Sequence, residues 1–70
     1  MNENIPVEIL NIFKAIPEFD IEYDHIHCMM NLDIIVYSAV YSTEFNIYQA
    51  TTFLNTNYVN TPQVIINKLS

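Results

Sequence analysis

The residue types best suited to chemistry cluster at Asp24, His25, His27 and Cys28. Imidazole, thiolate and carboxylate groups bind zinc, but zinc sites usually take ligand pairs from two separate segments, and this sequence has no second pair. A cysteine nucleophile would need a histidine base that a third group holds in place, and no residue marks such a triad. We therefore expect a partly buried loop here, with no metal and no catalytic residue.

Acidic residues alternate along the segment before this cluster, at Asp20, Glu22 and Asp24. The spacing, central glycine and terminal glutamate of a calcium-binding EF-hand loop are missing. A solvated face is the expected role, and a docking patch for a basic partner is the alternative. No pair of carboxylates is marked as a general acid and base, so the sequence predicts a protein that is not an enzyme.

Length and composition predict one small cytoplasmic domain over residues 1–70. A chain of 70 residues buries only about 60% of the surface that its unfolded form exposes, so its core is small. A single cysteine suits a reducing compartment, and no signal-peptide pattern is present. No apolar run reaches the roughly 18 residues of a membrane span, so none is expected.

Charge and glycine content exclude several functional classes. Eight acidic residues against two lysines give a net charge of −6, which opposes nucleic-acid binding and suits either simple solubility or a basic protein partner. The chain contains no glycine, which excludes glycine-rich phosphate-binding loops. Tight type I′ hairpin turns are also disfavoured without glycine.

The first element that could position these residues is a helix over residues 7–16. Its apolar residues have helical spacing, at Ile9, Ile12, Phe13 and Ile16. Pro6 suits the first turn, and Pro17 disfavours helical geometry at the residue before it. Residues 18–31 alternate less regularly, and we expect a long extended loop with a few buried anchors.

The most informative segment is the apolar run that follows, for which a helix over residues 32–45 is predicted. Leu32, Ile35, Val36, Ala39 and Val40 form a helical stripe, Asn31 is a favourable N-cap, and Asp33 complements the helix dipole. The segment is also rich in β-branched and aromatic residues, which favour a strand. A strand here would pair with residues 19–28 as a hairpin, and this alternative stays open.

The last third of the chain predicts a short third helix or an irregular connection over 47–55, a loop over 55–60 and a final helix. Thr61 is the expected N-cap of that helix, followed by Pro62 in its first turn. The fold class predicted is all-α, a small four-helix bundle with a long first loop and a short third helix.

The predicted helix over residues 32–45 is apolar almost all round, so part of it should remain exposed as an interface. A protein partner or a second copy of the chain, forming a homodimer, would bind there. The residues expected to contact the partner are Leu32, Asp33, Ile34, Val36, Tyr37, Tyr41 and Glu44.

Both ends of this segment resemble the second helix of acyl and peptidyl carrier proteins, which begins D-S-L-(D/E) and often ends E-F-(D/N)-I. The matching residues are Asn31-Leu32-Asp33 and Glu44-Phe45-Asn46-Ile47. Residues 61–69 resemble the family's last helix. The resemblance implies an acidic four-helix bundle that meets biosynthetic enzymes of fatty-acid, polyketide or nonribosomal pathways.

The carrier serine that receives 4′-phosphopantetheine corresponds to Asn31, whose amide cannot form the phosphodiester. The resemblance therefore implies a degenerate carrier without cofactor, which acts by protein–protein contact. One alternative is a small acidic regulator or inhibitor of phage or plasmid type, unrelated to carriers. A second is a functional carrier whose modified serine lies elsewhere in the chain.

Overall fold

The computed structural model describes residues 2–57 and 62–70 and consists of one helix and a four-stranded antiparallel sheet. The elements are α1 (Val7–Lys14), β1 (His27–Asn31), β2 (Ile34–Ser42), β3 (Ile47–Asn55) and β4 (Val64–Lys68). The strands lie in the order β1-β2-β3-β4, so each pairs with its neighbour in sequence. Within the described residues, no helix has the length and apolar character needed to cross a membrane.

The predicted four-helix bundle is wrong, and with it the fold that the carrier resemblance implied. The segment predicted as the second helix contains β2, which pairs with β1 on one side and β3 on the other. The alternative hairpin was correct in kind but not in extent, because the strand paired with β2 is 27–31, which shares only His27 and Cys28 with the expected 19–28.

The segment predicted as the second helix is a strand in which every second residue of the central part is buried. Tyr37, Ala39 and Tyr41 are buried, whereas Ser38 is half-buried and Val40 is exposed. Because nearly every position is apolar, the segment satisfies the helical spacing as well as strand alternation. Its β-branched and aromatic residues suit a pleated surface, and pairing with an equally long β3 decides between the two.

The two predictions for the last third of the chain are also corrected. Residues 47–55 form neither a helix nor an irregular connection but all of β3, with buried Ala50 and Thr52 on one side. The expected final helix is replaced by β4, which pairs with β3 from Val64 to Lys68. Thr61, the expected N-cap, and residues 58–60 of the expected loop lie outside the described residues.

The helix predicted at the N-terminus is confirmed over Val7–Lys14 and packs on one face of the sheet. Ile9 and Phe13 are fully buried. Ala39 and Ala50 lie directly opposite each other on the two central strands and are also buried. Two methyl side chains at this position leave room for the helix, because larger residues would hold it away from the sheet.

An aromatic chain connects this helix layer to the sheet. The ring of Phe13 lies 5.2 Å from that of Phe19, centroid to centroid, and Phe19 meets the edge of Tyr41 at 5.6 Å. Tyr41 in turn stacks on Tyr48, its partner in β3, at 5.6 Å. Such pairs stabilise the packing by about 0.5–1.5 kcal/mol each beyond the area that they bury.

Two tight turns among the described residues place a residue other than glycine at positive φ. Residues 16–19 form a turn in which Pro17 precedes Glu18 at φ 68°, and the amide of Phe19 donates to the carbonyl of Ile16 at 3.2 Å. This is the pattern of a type II turn. The β1–β2 hairpin has only two loop residues, Leu32 and Asp33, with Leu32 at φ 53°. A type I′ turn would need positive φ at both loop residues, and only Leu32 has it, so the expectation that type I′ turns are disfavoured is not contradicted.

The positive φ of Leu32 predicts that glycine at this position makes the fold more stable than alanine does. A Cβ atom at positive φ costs about 1–2 kcal/mol, and the Leu32 side chain is 96% exposed, so little packing is lost when it is removed. We expect Leu32→Gly to be about 0.5–1 kcal/mol more stable than Leu32→Ala, after the greater entropy of glycine in the unfolded chain is subtracted. Urea unfolding followed by circular dichroism measures this difference. Equal stability of the two variants would contradict the strain.

Alkaline pH should weaken the fold through the buried tyrosines. Burial raises the pKa of Tyr37 above its ordinary value of 10.0, with further contributions from Cys28 and Glu8. Burial likewise raises the pKa of Tyr41, assisted by Tyr48 and Glu18. Because the folded state holds these protons more tightly, their contribution to stability is complete below about pH 10 and is lost as the pH rises through the folded pKa.

We therefore expect the free energy of unfolding to fall above about pH 10, measured by urea titrations between pH 8 and pH 11. Tyr37→Phe and Tyr41→Phe should each make this decline shallower, because each removes one titrating hydroxyl. A decline of the same slope in wild type and in both variants would assign it to other groups.

Candidate interaction surface

The sheet has two apolar faces, and the helix covers only one of them. Side chains alternate between the faces along each strand, so the residues between Tyr37, Ala39 and Tyr41 point away from the helix. We call this second surface the open face. Its large apolar residues are Met29, Ile34, Val36, Val40, Ile47, Phe53 and Ile65.

These apolar residues are substantially exposed to solvent. Met29 is 68% exposed, Ile65 53%, Val40 52% and Phe53 45%. Isolated exposed apolar residues are ordinary, but these belong to adjacent strands and form one continuous surface. A contiguous apolar surface of this kind on a small protein indicates a contact site.

Strand register arranges the open face in rows. One row is apolar and crosses three strands, from Met29 through Val36 to Phe53. The next row contains Ser38 and Thr51 on the central strands. A groove of about 520 Å³ lies over these rows, lined by apolar side chains and by polar ones that include His27, Ser38 and Gln49.

The polar centre of the open face is partly satisfied from within. The Gln49 amide nitrogen donates to the Ser38 hydroxyl at 3.1 Å, from the neighbouring strand. Burying this pair under a partner therefore costs less than burying two unpaired polar groups would. The open face can be covered by another apolar surface without leaving these two side chains entirely unpaired.

All eight acidic residues and both lysines lie within the described residues, and the open face carries none of them. Seven of the ten precede β1, in the part of the chain that contains α1 and the following loop. Asp33 and Glu44 lie in the two hairpin turns, and Lys68 is on the helix-side face of β4, opposite Tyr48. The acidic residues and lysines that give the net charge of −6 thus all lie off the open face.

The structure distributes the predicted partner-contact residues over three places. Ile34 and Val36 lie on the open face. Tyr37 and Tyr41 point the other way and are buried under the helix layer, with 3% and 4% of their surface exposed. A helix would have placed Ile34, Tyr37 and Tyr41 on one side, whereas strand alternation separates Ile34 from the two tyrosines.

The remaining predicted contact residues are in turns. Leu32 and Asp33 form the loop of the β1–β2 hairpin, and Glu44 lies in the β2–β3 turn. Asn31, expected to cap a helix at the position of the carrier serine, is the last residue of β1. Sequence reasoning missed Phe53 and Ile65, which strand alternation would have identified if 47–55 and 64–68 had been interpreted as strands.

The histidine and cysteine cluster is brought together only in part. The rings of His25 and His27 lie 4.5 Å apart, centroid to centroid, at a right angle. Cys28 is exposed and lies opposite Tyr37 of β2 in the strand pairing. Asp24 accepts a hydrogen bond from the amide of Asp20 at 2.8 Å, which closes a local turn. Among the described residues, no three metal-ligating side chains are arranged to hold an ion.

No protein-family model, curated protein or solved structure matches this chain. Function is therefore inferred from the geometry and chemistry of the open face.

Proposed function

We propose that this protein is a non-enzymatic binding module that acts by protein–protein contact through the open face of its sheet. The observation that supports it most directly is the combination on one surface of exposed apolar residues and the absence of every Asp, Glu and Lys, in a chain of net charge −6. A partner that covers this surface removes apolar area from water, at roughly 25 cal/mol per Å² before the cost of association.

Of the roles that the sequence suggested, we retain the non-enzymatic, contact-based one and do not retain the carrier. The carrier role depended on a helix bundle with a modified residue at the head of its second helix. In this fold Asn31 ends a strand instead. A small acidic regulator remains compatible with the proposal, since its acidic residues lie off the contact surface and would keep it soluble.

Photo-cross-linking tests the proposal with two positions that share a residue type. Phe53 lies on the open face and is 45% exposed, whereas Phe45 lies in the β2–β3 turn and is 83% exposed. Each is replaced by p-benzoylphenylalanine in the full-length chain, and the cells that express it are irradiated. We expect several times more protein adducts from position 53, because a partner would hold its side chain in a lasting contact.

Exposure alone predicts the opposite order, since Phe45 is the more accessible side chain. Adducts that form equally or mainly from position 45 would therefore overturn the proposal. The mass of each adduct identifies the partner, and circular dichroism of both variants confirms that the fold is retained.

A further inference from the structure

We propose that the partner of the open face is a second copy of this chain, so that two sheets pack face to face with their helices outside; this rests on the proposed function. The product would be a two-sheet sandwich covered by a helix layer on each side. Facing sheets in such sandwiches lie about 10 Å apart, with the side chains of the two inner faces interdigitated.

The charge distribution favours this partner over a foreign protein. Recognition of a charged partner depends on complementary charges, and the open face carries no Asp, Glu or Lys, all of which lie within the described residues. Two copies of a −6 chain normally repel each other. Joined at their open faces, however, they place most carboxylates on the outer layers, farther apart than the Debye length of about 8 Å at physiological salt.

The rows of the open face are also self-complementary. A twofold axis between the two faces at the level of Ser38 places Val36 of each copy over Val40 of the other. The polar centre then lies against its own copy, and apolar residues lie on both sides of it. Such an arrangement repeats every contact twice, as closed dimers do.

The size of the open face is sufficient for a small dimer. The two central strands have nine residues each and the two edge strands five. At strand spacings of about 4.8 Å and a rise of about 3.4 Å per residue, the face projects about 450 Å² per copy. Protruding side chains have a larger accessible area than this projection, so two faces reach the roughly 1,000 Å² that a specific interface needs.

Two adjacent residues of β4 provide a matched test. Ile65 and Ile66 are the same residue type with similar exposure, 53% and 44%, but Ile65 lies on the open face and Ile66 on the other. In the proposed dimer Ile65→Glu puts a carboxylate into the interface of each copy, whereas Ile66→Glu puts one outside it. Sedimentation-velocity ultracentrifugation of the full chain measures the dimer dissociation constant of each variant.

We expect wild type and Ile66→Glu to dimerise with similar dissociation constants, and Ile65→Glu to weaken dimerisation at least about 30-fold. Raising the salt concentration should leave the wild-type dimer unchanged or tighten it, because salt screens the repulsion between two acidic chains. Equal effects of the two substitutions would place the interface at the strand edge and overturn the proposal. A wild type that stays monomeric up to about 1 mM would also overturn it.

A second measurement does not depend on any variant. In a mixture of isotopically labelled and unlabelled wild-type chains, intermolecular nuclear Overhauser effects should involve methyl groups of Met29, Val36 and Val40. Contacts confined to α1 would contradict the proposal. If the chain is monomeric but position 53 cross-links to another protein, this inference fails and the proposed function stands; if neither dimer nor adduct forms, both fail.

Discussion

The structure depends on one geometric constraint, which is that a single helix of eight residues covers a four-stranded sheet on one side only. Ile9 and Phe13 of α1 are buried in the same cluster as Ala39 and Ala50, whose small side chains permit close approach of the helix. Side chains of the central strands that face the helix, such as Tyr37 and Ala50, become core. Large apolar side chains that face away, such as Val36 and Phe53, form a second surface that the helix does not cover.

The N-terminal segment does more than supply the helix. The side chain of Asn2 donates to the carbonyls of Ile21 and Asp24 at 3.0 Å each and accepts from the amide of Ile26 at 2.9 Å. Three hydrogen bonds from one partly buried amide fix the start of the chain to the loop before β1. The loop in turn holds Phe19 and Ile26 in the core, so this layer is tied to the sheet at several points.

Sequence patterns correctly located the helix and failed on the strands for a definite reason. Around Ile9 and Phe13 the other side of the helix is polar, so only the helical period fits. In residues 34–42 apolar residues occupy both sides, so the helical and strand periods fit equally well. Of the residues expected to contact a partner, Ile34 and Val36 lie on the open face. Tyr37 and Tyr41 were assigned to the same surface because a helix would place them together, whereas strand alternation turns them into the core.

The sequence by itself determined the charge, the exclusion of glycine-rich phosphate-binding loops and the N-terminal helix, which was predicted over 7–16 and is observed over Val7–Lys14. These properties depend on composition or on neighbours within one or two turns. Only the tertiary structure decided that 34–42 and 47–55 are strands, because ladder pairing joins residues distant in sequence and its register sets which face each side chain occupies. The position of the helix on one face then left Met29, Val40, Phe53 and Ile65 on the other.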